Sequence, residues 1–203
     1  MKYNELDKEY YVMSMDGANN HPMLAWGKTK IGPFLKAKPI DENQYELPLN
    51  LLFSEPYPAQ YEMADLLMLA TLFCISEQFK KLFDDMGIYG VQFVPVEVKS
   101  NKGEIIKGHS VFHVWNKLEA IDKDNYIGGE PDMFNTILDL EKFSLDVTLM
   151  ESIPLEKRLI FGLLEKKTII LVHKTVYEAI TAANLTGIRF FRVDEWDEDA
   201  MFS

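Results

Sequence analysis

Residues 71–96 read TLFCISEQFKKLFDDMGIYGVQFVPV, and this stretch decides the fold. Its first five residues are mostly apolar and rich in strand formers, which predicts a β-strand. Ser76 then stands where a helix N-cap is expected and Gly87 where a C-cap is expected. Between these two caps the apolar residues follow the spacing of an amphipathic helix, at Phe79, Leu82, Phe83 and Met86. Gly90 precedes a second apolar run, which predicts another strand.

The same pattern returns 97 residues later, where residues 168–193 read TIILVHKTVYEAITAANLTGIRFFRV. Four positions are identical in the two copies: Thr71 and Thr168, Gly90 and Gly187, Phe93 and Phe190, Val96 and Val193. Asn184, which tolerates a left-handed C-cap, replaces Gly87. A crossover of about 15 residues is long enough to return the chain in parallel, and Gly90 and Gly187 are expected to supply an unusual backbone turn. We therefore predict an α+β fold with a mixed sheet built around two related strand–helix–strand units, about 71–97 and 168–194.

The rest of the chain is expected to complete a single domain of residues 1–203. Tyr10 to Met15 predicts a strand that ends at Asp16-Gly17. Residues 1–60 are rich in proline and glycine, and we expect loops and short strands there, packed on a core formed by residues 61–203. Between the two units the patterns predict a strand over 109–116, a polar loop over 122–131, a helix over 133–143, and a strand or helical turn over 158–165.

The balance of charges is strongly acidic. The chain has 21 Lys and Arg against 32 Asp and Glu, a formal net charge of −11 and a pI near 4.8. Binding to a nucleic-acid backbone or to anionic lipid needs clustered basic residues, so neither is expected. An acidic surface would attract a basic protein and speed the encounter, although the same charge also serves solubility alone.

The expected cellular compartment follows from the number of cysteines and from the hydropathy of the N-terminus. Cys74 is the single cysteine, so no intrachain disulfide can form and an oxidising compartment is not indicated. Met1 to Glu5 lack the apolar run of a signal peptide, and the longest apolar stretch, Leu66 to Ile75, is too short to span a bilayer. We expect a cytoplasmic protein.

Patterns typical of active sites are incomplete in this chain. Gly27-Lys28-Thr29 resembles the end of a phosphate-binding loop, but Pro22 stands where the first glycine is required. His109 and His113 lie in a predicted strand, which would separate them by about 13 Å, too far for one metal ion. Cys74 alternates within a buried strand and is expected to be a core residue. No catalytic, cofactor-binding or metal-binding residue is assigned, and no cofactor is expected.

The acidic segment near the C-terminus is the candidate partner-binding site. It consists of Asp194, Glu195, Trp196, Asp197, Glu198 and Asp199. A charge block of this kind is by default a solvated tail. Trp196 could instead anchor a partner inside an acidic rim, or it could close the core just after the last strand. These alternatives stay open at the level of sequence.

Three segments resemble, in order, an immunity protein family of bacterial polymorphic toxin systems, the eleventh such family. Residues 114–122, VWNKLEAID, resemble the family's strand that ends in an aspartate. Ile153-Pro154 followed by 159–161, LIF, is similar to its Ile-Pro and Ile-Phe-Arg element, with Gly162 where the family has arginine. Residues 169–193 resemble its closing helix and Gly-x-x-Phe strand. The likeness covers the C-terminal two-thirds of the chain.

The resemblance implies a non-enzymatic α+β protein that protects its host by binding a cognate toxin, which the negative charge suggests is basic. Two other classes of function remain open. A small enzyme could assemble scattered acids with His109 or His113, and this requires a pocket that holds perturbed carboxylates. An adaptor could bind a secretion-system component or dimerise, and no oligomeric state is assigned.

Overall fold

The structure, a computed structural model, describes residues 1–199. Its strands and α-helices follow in chain order: β1 (Tyr10–Met15), β2 (Leu24–Trp26), β3 (Leu49–Phe53), β4 (Leu66–Leu69), β5 (Leu72–Ser76), α1 (Glu77–Met86), β6 (Val91–Lys99), β7 (Ile105–Val114), β8 (Lys117–Leu118), β9 (Ile121–Gly128), β10 (Leu140–Leu145), α2 (Val147–Ser152), β11 (Ile160–Leu163), β12 (Ile170–His173), α3 (Lys174–Ala182) and β13 (Ile188–Arg192). The mixture of helices and sheets confirms the predicted α+β class.

Six strands close into a barrel in the order β2-β3-β6-β7-β5-β4, and β4 pairs with β2 to complete the ring. The interior is filled by apolar side chains from every strand of the ring. Cys74 is one of them, while its neighbours Phe73 and Ile75 point to the outside, so the predicted alternation along this strand is confirmed. Burial raises the pKa of the Cys74 thiol far above its ordinary value, which suits a core residue better than a nucleophile.

The second sheet has five strands in the order β13-β1-β12-β11-β8, and a separate hairpin pairs β9 with β10. The predicted strand at residues 10–15 is confirmed, and it lies between β12 and β13. Residues 24–26 and 49–53 are strands of the barrel wall. Residues 1–60 therefore contribute β1 to the five-stranded sheet and β2 and β3 to the barrel.

The two predicted strand–helix–strand units have the same topology. β5 and β6 both run antiparallel to β7, so they are parallel to each other with β7 between them. β12 and β13 are related in the same way through β1. The two units thus lie in different sheets. In each unit, a strand from outside the unit lies between its two parallel strands.

The helix caps match between the units. The Ser76 hydroxyl accepts a hydrogen bond of 3.2 Å from the Phe79 amide, and α1 ends at Gly87 with φ of +62°. In the second unit, 97 residues on, His173 Nδ1 accepts from the Thr175 amide at 3.3 Å, and Asn184 has φ of +52°. The caps predicted at Ser76 and Gly87 are confirmed, and His173 is a cap that the sequence comparison did not identify.

The two glycines that precede the second strands have the predicted backbone. Gly90 has φ of +85° and Gly187 has φ of +80°. A Cβ atom at Gly187 would collide with the carbonyl oxygen of Leu66, and one at Gly90 would collide with the side chain of Asn116. Glycine is needed at both positions for its backbone freedom and for the close approach of another segment of the chain.

Two further cores lie on the two faces of the five-stranded sheet. On one face, α1 and α3 pack between this sheet and the outside of the barrel, through Phe79, Phe83, Val176 and Ile180. On the other face, the β9–β10 hairpin and α2 cover Tyr10, Val12, Phe161 and Leu171. Within residues 1–199, none of the helices is long and apolar enough to cross a membrane.

Two local predictions were wrong, and both fall between the units. Residues 121–128 form strand β9 where a polar loop was expected. Residues 133–143 were expected to form a helix, but they contain an irregular turn followed by β10. Asp132 caps that turn and Asn135 adopts φ of +59°, so local turn chemistry prevails over the apolar spacing.

We predict that Gly187→Ala costs more than about 2 kcal/mol of unfolding free energy, because left-handed strain of about 1–2 kcal/mol adds to the collision with Leu66. Gly17→Ala is the matched control, since Gly17 has φ of +73° and a Cβ atom added there would meet no other atom within 4 Å. That variant should lose only the strain term. Urea unfolding of both variants measures the difference, and equal losses would contradict the close packing at Gly187.

Candidate partner-binding surface

The tryptophan of the acidic C-terminal segment lies inside the protein. Trp196 is 1% exposed and packs edge-on against Phe143 of β10, with ring centroids 5.1 Å apart. It belongs to the core between the five-stranded sheet and the β9–β10 hairpin. Of the two roles considered for Trp196, closing the core is the one that this position fulfils, and its ring is not available to a partner.

The carboxylates of the same segment divide into two groups. Asp194 and Glu195 both bind the guanidinium of Arg192, at 3.1 Å and 2.7 Å, and are thereby tied to the end of β13. The last three acids, Asp197, Glu198 and Asp199, line an open cavity of about 470 Å³. Its other lining residues are Asp139, Glu141 and Lys142. The structure therefore joins the C-terminal acids to a second acidic stretch that the sequence did not connect with them.

Three large apolar side chains project into solvent from the segment that leads to Asp139. Met133 is 89% exposed, Phe134 is 75% exposed and Leu138 is 71% exposed. All three belong to the segment 129–139 that joins β9 to β10. Single exposed apolar residues are common on protein surfaces, whereas a contiguous group is typical of an interaction site.

The turn that carries Met133 and Phe134 is held by hydrogen bonds. One Asp132 carboxylate oxygen accepts from the amides of Thr136 and Phe134, both at 2.8 Å. These bonds stabilise the ionised form and lower the pKa of Asp132. The Asp132 amide also donates to the Thr136 carbonyl at 2.9 Å. The two apolar side chains are thus presented by an ordered turn.

Lys166 connects the end of the 129–139 segment with the acidic C-terminal segment. Its ammonium group donates to the carbonyl oxygen of Leu138 and binds the Glu198 carboxylate at 2.8 Å. Leu138 is also adjacent in the chain to Asp139, which lines the acidic cavity. We call this region the acidic–apolar face, consisting of Met133, Phe134, Leu138, Asp139, Glu141, Asp197, Glu198 and Asp199.

A smaller pocket of about 210 Å³ lies behind the same turn, with Pro131, Asn135 and Ile137 in its wall. Glu165 also lines it and is only 3% exposed. One carboxylate oxygen of Glu165 accepts from the Ile121 amide at 3.0 Å, while the other has no hydrogen-bond partner among residues 1–199. Burial raises the pKa of Glu165, an effect that the Ile121 hydrogen bond opposes.

The residues considered for catalysis lie elsewhere. His113 is fully buried in β7, with Nε2 2.9 Å from the Lys38 carbonyl oxygen, and desolvation lowers its pKa. Neither His109 nor His113 lines the Glu165 pocket. In the part of the chain described, 1–199, no group of three or more His, Cys, Asp or Glu side chains is placed to hold a metal ion.

Sequence reasoning found the C-terminal acids but missed the other half of the face. The sequence predicted a helix over 133–143, and apolar residues at helical spacing usually face a core. The useful signal was local: Pro131-Asp132 and Asn135 are turn formers that interrupt the helix. Glu165 has no local signal, since its burial depends on strands distant in the chain.

Comparison with known proteins gives one finding about the family. The model of the Immunity protein family (Imm11) matches residues 9–195. The match includes most of the N-terminal third, which lies outside the likeness carried by the sequence motifs. Among curated proteins, no match is found.

We predict that Trp196→Ala lowers the free energy of unfolding by about 3–5 kcal/mol, as expected for removal of a fully buried tryptophan. Glu195→Ala, next to it but exposed, should change stability by no more than about 0.5 kcal/mol. Thermal or urea unfolding of the two variants tests this. An unchanged stability for Trp196→Ala would show that the ring is not a core element.

We also predict a pH-dependent gain of stability for Glu165→Gln. The folded-state pKa of Glu165 is raised, so its carboxyl costs nothing below the ordinary glutamate pKa and destabilises the fold increasingly as pH rises above it. Glutamine keeps an oxygen for the Ile121 amide and removes the buried charge. Tm should rise by roughly 2–4 °C at pH 8 and not at pH 4. An equal rise at both values would assign the effect to packing instead.

Proposed function

This chain belongs to the Imm11 immunity protein family, and we propose that it binds and neutralises a cognate bacterial toxin domain in the cytoplasm, without catalysing a reaction. Membership of an immunity family supports a toxin as the partner. The acidic–apolar face supports a binding mode, since it combines exposed apolar side chains with carboxylates from two segments of the chain.

The observation that carries the proposal is the exposure of Met133 and Phe134 on an ordered turn. Removing a phenylalanine or methionine side chain from water yields about 1.5–3 kcal/mol, and this gain is not realised in the isolated chain. Hot spots of protein interfaces are typically large side chains near the centre of the contact, surrounded by a more polar rim. Under the proposal, Asp139, Glu141 and the C-terminal acids provide the polar rim.

The charge of the face favours a partner with a basic surface. Asp197, Glu198 and Asp199 stand beside Asp139 and Glu141, and Lys142 is the cation in the wall of the cavity that they share. Oppositely charged surfaces speed diffusional encounter, and wrong partners with acidic surfaces are repelled. The formal net charge of −11 acts over a longer range in the same direction.

A non-catalytic role is supported by the composition of the Glu165 pocket. The histidines on which an enzyme was predicted to depend do not line it, and His113 is occupied with the Lys38 carbonyl in the barrel wall. A perturbed carboxyl in a pocket is also a feature of active sites. A partner-binding role accounts for it together with the exposed turn next to it, which an enzyme would not require.

The double variant Met133→Ser/Phe134→Ser should bind the toxin domain encoded in the neighbouring gene at least about 30-fold more weakly, the effect of losing roughly 2 kcal/mol at a hot spot. Both side chains are exposed, so the fold should be unaffected. Titration calorimetry with purified proteins measures the affinity, and protection of toxin-expressing cells gives the biological effect.

Ile105→Ser is the matched control, because Ile105 is an exposed apolar residue of β7 and lies outside the face. It should bind like the unmodified chain. High salt should slow association of all variants without restoring affinity to the double variant. Full affinity and full protection by the double variant would rule out this face, and absence of binding by the unmodified chain would contradict the proposed function itself.

A further inference from the structure

We propose that the pocket behind the 129–139 segment receives one basic side chain of the partner, with Glu165 as its counter-ion. The inference rests on the proposed function, because it places a specific contact beside the acidic–apolar face. It assigns to Glu165 a binding role that neither the acidic C-terminal segment nor the exposed turn provides. The pocket is separate from the open cavity that Asp197, Glu198 and Asp199 line.

The state of Glu165 is the first argument. Its side chain is buried, and one carboxylate oxygen accepts the Ile121 amide while the other has no partner within the described chain. A buried carboxylate with a free oxygen carries a desolvation cost, and keeping it ionised requires a cation or further hydrogen bonds to offset that cost. A cationic ligand in the pocket would supply both.

The walls of the pocket are the second argument. Ile121, Tyr126, Pro131 and Ile137 present largely apolar surface, and Glu165 adds the negative charge. A lysine or arginine side chain has the same distribution, with an aliphatic stem and a charged end. The volume of about 210 Å³ gives room for one such side chain. A carboxylate or phosphate would be repelled by Glu165 and by Glu130 at the same pocket.

Within residues 1–199, neither Lys123 nor Lys166 is paired with Glu165. Lys123 also lines the pocket, but its ammonium group lies 4.0 Å from the Glu119 carboxylate and its side chain is largely exposed. Lys166, the residue next to Glu165, is bound to Leu138 and Glu198. We therefore assign the cation that completes the Glu165 site to another molecule.

The position of the pocket is the third argument. Pro131 and Asn135 belong to its wall, while Met133 and Phe134 between them project from the same turn into solvent. A partner segment that covers the two apolar side chains would pass the pocket entrance within a few residues. One partner could thus make the apolar contact and the charge-assisted hydrogen bond together.

The first experiment needs no toxin. The full chain, labelled with ¹⁵N, is titrated with N-acetyl-arginine amide up to about 50 mM, a range that detects even weak binding. Saturable shifts are expected at the Ile121 and Ile137 amides. The neutral analogue N-acetyl-citrulline amide should produce no saturable shift. Glu165→Gln should abolish the response to the arginine probe, and Glu156→Gln, an exposed acid outside the pocket, should retain it.

Any of three results would overturn the inference: no saturable shift with the arginine probe, equal shifts with citrulline, or an unchanged response in Glu165→Gln. The second experiment measures toxin affinity. Glu165→Gln should weaken binding at least tenfold relative to Glu156→Gln, and equal affinities would also overturn the inference while leaving the proposed function intact. If the unmodified chain does not bind the toxin, the proposed function fails, and the arginine titration still decides whether the pocket takes a basic group.

Discussion

Each strand–helix–strand unit of this protein needs a strand that it does not itself supply. The helix crossover returns the chain in parallel but one strand further on, and an antiparallel strand must fill the gap. In the barrel this inserted strand is β7, which follows the unit directly in the chain. In the second sheet it is β1, from the opposite end of the chain. Residues 10–15 therefore hold the start and the end of the protein together, and both faces of β1 are buried.

This arrangement determines where the C-terminal acids emerge. β13 is the edge strand next to β1, and Trp196 follows it into the core on the face covered by β9 and β10. Because the Trp196 side chain packs against Phe143, the next three residues leave the core beside β10. They meet Asp139 and Glu141 there. The acidic–apolar face is thus a consequence of how the core is closed, and its carboxylates come from segments far apart in the sequence.

The duplicated units could be predicted because their signals are local. Helix caps and left-handed backbone angles are set within a few residues. The four residues with these roles adopt them as predicted: Ser76, Gly87, Gly90 and Gly187. The connecting segment could not be predicted in this way. Pattern methods assume that large apolar residues are buried, and Met133 and Phe134 are not. The error in the predicted helix therefore coincides with the candidate site, as expected where a sequence serves binding rather than folding.

The apolar and charged parts of the candidate site make different contributions under the proposed function. Exposed carboxylates in water are well hydrated and give little net affinity, so their main effect is on the rate of encounter. Met133 and Phe134 gain free energy only when a partner covers them. Glu165 is intermediate, since its desolvation has already occurred in folding. A cation that reaches it forms an ion pair at lower cost than one formed at an exposed acid, so the buried carboxyl can discriminate among basic partners that the exposed acids attract alike.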